Sequence, residues 1–165
     1  MKTFDEIIKE KITEVNTLKQ KRQQMALMQK TVVFTNGCFD LLHYGHADYL
    51  AKARSLGDVL IVGVNTDASV SRLKGTGRPV QDEKSRCMVL ASMLCVDYVV
   101  LFDEDTPYNL IQSLQPDVLV KGADYKPQDI VGYDIVTANN GRVQTIEFAQ
   151  GYSTSAIIDK ILTTK

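Results

Sequence analysis

Residues 31–57 read TVVFTNGCFDLLHYGHADYLAKARSLG. The opening TVVFTN is β-branched and aromatic on consecutive positions, which suits a strand covered on both faces. ADYLAKARSLG has helical spacing and ends on Gly57, a helix-stop residue. Between them lies NGCFDLLHYGH, which holds both histidines of the chain, His43 and His46, in its last four positions. A strand that passes through a glycine-bearing turn into a helix is the opening unit of an α/β fold, and polar residues in that turn stand at the strand's carboxyl end.

The pattern repeats downstream. DVLIVGVN (58–65), DYVVLF (97–102), DVLVKG (117–122) and RVQTIEF (142–148) read as further strands. Helices are expected from about Asp82 to Leu94, from Thr106 with Pro107 in the first turn, and from Ser153, a serine in N-cap position. This alternation predicts a Rossmann-like, doubly wound parallel sheet of five strands.

Upstream, Phe4, Ile7, Ile8, Ile12, Val15 and Leu18 recur at spacings of three and four, and Thr3 with Glu6 forms a capping box. Residues 1–29 therefore read as an amphipathic N-terminal helical extension before a domain spanning 30–165. Its stripe either lies on the chain's own domain or forms a homodimer contact. KQKRQQ (19–24) reads as a solvated face.

Lysine plus arginine number 19 against 20 acids, a net charge of −1. That balance excludes nucleic acid or an anionic membrane as the main partner and points to a small ligand. Cys38, Cys87 and Cys95 form no CxxC pair, the N-terminus lacks a signal-peptide run, and no apolar stretch approaches the roughly 18 residues of a membrane span. A reduced, cytoplasmic protein is expected.

Ligands of such sheets bind outside the carboxyl ends of the strands. TNGCFDLLHYGH, NTD (65–67), KGADY (121–125) and GYSTS (151–155) all fall there. Neither GxGxxG after the first strand nor GxxxxGK[ST] anywhere is present. Instead, Gly37 allows close backbone approach, and HxGH runs into a helix N-terminus, where free N–H groups favour phosphate. Two imidazoles one turn apart can add donors where charge develops on phosphorus. Two other readings stay open: Cys38, Asp40, His43 and His46 as transition-metal ligands, or histidines that only pack and cap.

NGCFDLLHYGH resembles the first motif of the HxGH nucleotidyltransferases, the superfamily of cytidylyltransferases, pantetheine-phosphate adenylyltransferase and class I aminoacyl-tRNA synthetases. GYSTSAII (151–158) resembles their second motif. VNTDASVSRLKGTGRPV (64–80), VDYVVLFDEDTP (96–107) and PDVLVKGADYKPQDIVG (116–132) are similar to the heptose 1-phosphate adenylyltransferase branch. The resemblance covers about residues 30–163.

It implies transfer of AMP from ATP to a sugar 1-phosphate, D-glycero-β-D-manno-heptose 1-phosphate, giving ADP-heptose and pyrophosphate for the lipopolysaccharide inner core. Mg2+ is expected with the triphosphate, held mainly by phosphates and water. The resemblance casts His43, His46 and Lys74 as catalytic. Asn36, Gly37, Cys38, Phe39, Gly122, Asp124, Tyr152, Ser153, Thr154 and Ser155 would meet the nucleotide. Asp40, Asn65, Asp67, Arg86 and Lys121 would meet the acceptor, Arg86 as a two-pronged clamp on its phosphate. In many bacteria this domain follows a sugar kinase; none precedes it here, so a stand-alone form served by a separate heptose kinase is expected.

Two further alternatives follow. In glycerol-3-phosphate cytidylyltransferases the matching segment carries an arginine-tyrosine pair and a later lysine, where this chain has Leu94-Cys95 and Asp103-Glu104-Asp105. An acceptor site tuned to glycerol phosphate fits less well, but that activity is the nearest enzymatic rival. A nucleotide-binding regulator on the same fold is the non-enzymatic one.

Overall fold

The computed structural model describes residues 1–123 and 126–164. Five strands, β1 (Val32–Gly37), β2 (Val59–Asn65), β3 (Tyr98–Phe102), β4 (Val118–Gly122) and β5 (Arg142–Ile146), form one parallel sheet in the order β3-β2-β1-β4-β5. The order reverses between β1 and β4, which makes the carboxyl end of β1 the switch point. All five strands lie where the β-branched runs predict them.

The helices are α1 (Phe4–Lys11), α2 (Val15–Leu27), α3 (Tyr44–Arg54), α4 (Asp67–Lys74), α5 (Glu83–Ala91), α6 (Tyr108–Leu114), α7 (Tyr133–Ala138) and α8 (Thr154–Thr163), with a 3-10 turn at Pro127–Asp129. Alternating strand residues feed two cores. Val33, Leu60, Val62, Val64, Val99, Val118 and Val120 pack on one face with Tyr49 and Leu50 of α3 and Cys87 and Leu90 of α5. Val32, Phe34, Ile61, Val100 and Leu119 pack on the other with Leu18 of α2, Leu110 and Ile111 of α6 and Val136 of α7.

The N-terminal stripe makes two helices rather than one. Thr3 and Glu6 form the expected capping box on α1. The chain then turns extended at Ile12, which bridges Val99 in parallel, and Thr13 N–H donates to the Val99 carbonyl. Backbone pairing with the edge of β3 competes with helix continuation and wins at that point. Lys11 Nζ donates to the carbonyls of Met93 and Val96, at 3.3 and 2.8 Å. Leu18 is wholly buried and Ile8 and Ile12 pack against the sheet core, whereas Phe4 and Ile7 of the same stripe stay exposed.

KQKRQQ is not simply a solvated face. The Arg22 guanidinium donates to Asp117 Oδ1 at 2.9 Å and to the Gln115 carbonyl, and Lys21 Nζ stands 4.9 Å from the centre of the Tyr98 ring. The sequence reading also missed α4 and α7. Thr66 caps α4 by accepting from Ser69 N–H, whereas α7 is a single short stretch begun by Gly132 at φ +90°.

Candidate active site

A cavity of about 630 Å³ opens along the carboxyl edge of the sheet. Its walls come from the carboxyl ends of the strands and the segments that follow them: Asn36–Asp40 from the end of β1, Asn65 at the end of β2 with Lys74 of α4, Thr106 after β3, Lys121–Gly122 at the end of β4, and Thr154–Ser155 of α8 beyond β5. The expected convergence on one edge is therefore present. Asp124 lies outside the described residues.

His46 lines the cavity from the first turn of α3. His43, the residue that begins that helix, stacks on it with ring centres 4.0 Å apart. Nδ1 of each ring is buried and has no hydrogen-bond partner. Burial drives both imidazoles toward the neutral form, His46 to a pKa of about 4 with the neighbouring His43 adding to the effect. Two neutral rings therefore present polar atoms that await a partner.

The glycine between them has a steric cause. A Cβ on Gly45 would stand 3.1 Å from the His43 ring and 3.3 Å from Tyr152 Cβ, closer than nearly all real contacts. Gly37 is comparably tight, with the Phe39 ring 3.1 Å from the place of its Cβ. Phe39 itself turns the chain at φ +47°, a backbone state that typically costs an aromatic residue about 1–3 kcal/mol, and its ring contacts that of His46.

The second motif caps α8. Ser153 Oγ accepts from Ala156 N–H at 3.0 Å, so its hydroxyl is engaged in starting the helix. Thr154 and Ser155 line the cavity, and Thr154 Oγ1 donates to the Leu41 carbonyl of the first motif at 3.3 Å. Tyr152 packs on Tyr44 and His43 beside the cavity.

Lys74 faces the cavity from the last position of α4, not from a loop, and Gly75 and Gly77 at φ +89° and +91° make the turn that follows. That turn brings in Arg78, a cavity residue that the sequence reading did not single out. Arg78 Nε lies 2.6 Å from Asp40 Oδ2, while Asp40 Oδ1 accepts from Val80 and Gln81 N–H groups. Burial would raise the Asp40 carboxyl, but these donors outweigh it and hold the group below the usual carboxylate range. Asp40 thus anchors the 78–81 loop instead of offering a free oxygen to a substrate.

Arg86 requires the largest correction. It is wholly buried and is not among the residues lining the cavity. Its guanidinium donates to the carbonyls of Gln81, Cys38 and Asn65 and to Asp67 Oδ1. It therefore straps the ends of β1 and β2 together and engages Asp67, and neither residue is presented as an acceptor contact. Asn65 does reach the cavity, with its amide nitrogen held by Ser69 Oγ at 2.9 Å. Lys121 lines the cavity and donates to the Asn36 carbonyl at 3.3 Å.

The metal reading of Cys38, Asp40, His43 and His46 fails on the same geometry. Asp40 is engaged by the loop, the Cys38 thiol points toward Asn65 Oδ1, and among the described residues no three His, Cys, Asp or Glu side chains gather. Burial raises the Cys38 pKa against the opposing charges of Lys74, Arg86 and Arg78, so the thiol stays protonated near neutral pH.

This arrangement sets neutral imidazoles, two helix N-termini and the cations Lys74 and Arg78 around one edge of a parallel sheet. The cytidylyltransferase-like family profile matches residues 34–160. The chain belongs to the cytidylyltransferase-like family.

Curated relatives include the bifunctional protein HldE of Citrifermentans bemidjiense, 62% identical over 133 residues, which are 81% of this chain and 27% of that protein. HldE of Helicobacter pylori strain G27 is 60% identical over 133 residues, 81% of this chain and 28% of that protein. The cytidylyltransferase-like chain thus spans little more than a quarter of those relatives. The crystal structure of the lipopolysaccharide core biosynthesis protein from Thermoplasma volcanium GSS1 matches with TM-score 0.60 and 29% identity, covering 75% of this chain and 99% of that one. Pantoate-beta-alanine ligase from Francisella tularensis, crystallised with β,γ-ATP and β-alanine, matches with TM-score 0.63 at 18% identity, covering 93% of this chain and 73% of that one, a likeness of fold. Among the described residues no helix is long and apolar enough to cross a membrane.

Proposed function

We propose that the chain transfers AMP from ATP to D-glycero-β-D-manno-heptose 1-phosphate, releasing pyrophosphate and forming ADP-heptose for lipopolysaccharide inner-core synthesis. The observation that carries this reading is the stacked His43–His46 pair, each ring with a buried, unpartnered Nδ1 at the start of α3. The similarity to HldE proteins and to a lipopolysaccharide core biosynthesis protein supports the choice of acceptor.

In this reading a phosphate oxygen of the sugar attacks the α-phosphorus, a new P–O bond forms, and the bond to the β-phosphate breaks with pyrophosphate as leaving group. No protein nucleophile is needed; positioning and charge stabilisation dominate. The imidazoles donate N–H bonds to the phosphates, the N-terminus of α8 with Thr154 and Ser155 receives the outgoing pyrophosphate, and Lys74 at the end of α4 and Arg78 in the turn after it neutralise charge.

Mg2+ is proposed to accompany the triphosphate. Of the carboxylates at the cavity, Asp40 is engaged by Arg78 and Asp105 by Arg72, which leaves Asp129. These residues fit an ion held on phosphate oxygens and water, which would offset charge on the leaving pyrophosphate. A sugar kinase reaction would supply the heptose phosphate.

Pyrophosphate release by the purified protein tests the reading, with ATP and CTP crossed against heptose 1-phosphate and glycerol 3-phosphate. Turnover confined to ATP with the heptose phosphate is expected. A preference for CTP with glycerol phosphate would overturn it, and binding of nucleotide without turnover would favour a regulator.

A further inference from the structure

The two sides of the cavity differ in the chemistry they offer. On the α3 side stand His46, Phe39 and Tyr49, with Thr154 and Ser155 of α8. Those residues offer imidazole and hydroxyl donors to an anion.

Asn36 faces the other way. Strand side chains alternate, and in β1 Val33 packs in the α3 core whereas Phe34 packs in the α6 core. Thr35 turns back to α3, its hydroxyl 2.8 Å from that of Tyr49. Asn36 therefore shares the side of Phe34. In agreement, the place a Cβ would take on Gly63 is within 3.3 Å of Phe34, Asn36 Cβ and Leu110 of α6 together. On this side the cavity wall is completed by Asp105 and Thr106 before α6 and by Asp129 before α7.

Asn36 Oδ1 is buried and has no hydrogen-bond partner. An amide oxygen only accepts hydrogen bonds, and phosphate oxygens at neutral pH do the same. No phosphate can satisfy this atom; a hydroxyl or amine can. The carboxylates of Asp105 and Asp129 share that limitation. One side of the cavity is thus built for the anionic part of a ligand, and the other for groups that donate.

We propose that Asn36 is a specificity-determining residue that accepts a hydrogen bond from a hydroxyl group of the sugar acceptor, with Thr106 and Asp129 completing an acceptor-rich wall for a polyhydroxylated substrate. The assignment rests on the sugar-phosphate reading above, and it moves Asn36 from the nucleotide to the acceptor. Lys121, on the same side by the alternation of β4, donates to the Asn36 main-chain carbonyl and not to Oδ1.

The test compares Asn36→Ala with the unaltered protein in steady-state pyrophosphate release. The expected result is a KM for heptose 1-phosphate raised roughly tenfold or more, with the KM for ATP unchanged. A series of singly deoxygenated sugar 1-phosphates should contain one analogue on which the two proteins perform alike, because the partner hydroxyl is already gone. In the variant, a KM for ATP and a melting temperature equal to those of the unaltered protein show that it folds.

A raised KM for ATP that disappears with 2′-deoxy- or 3′-deoxy-ATP would overturn the proposal and assign Asn36 to the ribose. Equal KM values for the heptose phosphate would overturn it outright. If the unaltered protein turned over ATP only with a different acceptor class, the sugar-phosphate reading itself would fail and take this assignment with it.

Discussion

Asp40, with its side chain almost wholly buried, holds Arg78 at 2.6 Å and thereby ties the first motif to the loop after α4. The same carboxylate accepts two backbone N–H bonds from Val80 and Gln81. Asp40→Ala should cost about 2–4 kcal/mol of stability, because the buried donors lose a charged acceptor. Arg78→Ala should cost less, since Arg78 is partly exposed, yet raise the KM for ATP. Urea denaturation beside nucleotide titration measures both.

Arg86→Lys should destabilise the fold by about 3 kcal/mol or more, since lysine cannot reach three carbonyls and a carboxylate in one plane. A substrate clamp would instead lose affinity for the acceptor at constant stability. Equilibrium unfolding of the variant separates these outcomes.

His46→Ala should lower kcat about 10²-fold or more while leaving affinity for a non-hydrolysable ATP analogue within a few fold. Intact turnover would remove the imidazole from the chemistry. Single-turnover kinetics with the analogue's Kd provide the comparison.

Stability should also report the histidines. His46 titrates near 4 when folded and near 6.5 when unfolded, so the unfolded chain binds more protons between those values. The contribution is complete above about pH 6.5 and is lost as pH falls toward 4; His43 is shifted in the same direction. Melting temperature measured across that window should decline less steeply in His46→Gln.

Leu18→Ala should cost about 2–5 kcal/mol, the usual range for a wholly buried leucine, despite its place in the extension before β1. A change below 0.5 kcal/mol would show the extension to be a separate appendage. Thermal and urea unfolding of the variant decide it.

Much of this was legible in the chain. Strands declare themselves because parallel strands buried on both faces require runs such as VLIVGV, and the loops at their ends carry the polar exceptions. HYGH pointed to the site because two histidines flank a glycine where a helix begins. Arg86 was misread for a physical reason: most of its partners are main-chain carbonyls, which leave no trace in side-chain identity. Arg78 was passed over because its role depends on Asp40, separated from it by 38 positions. The break at Ile12 escaped because the helical spacing of its apolar residues continues through it while the backbone departs to pair with Val99.

That pairing has a consequence beyond the site. β3 is a terminal strand of the sheet, and an uncovered outer strand offers unpaired N–H and C=O groups to any other chain. Ile12 and Thr13 occupy part of that edge, with α1 and α2 leading into and away from it. A shortened protein beginning at β1 would keep the cavity residues yet bare a hydrophobic template, and its expected failure is self-association during expression.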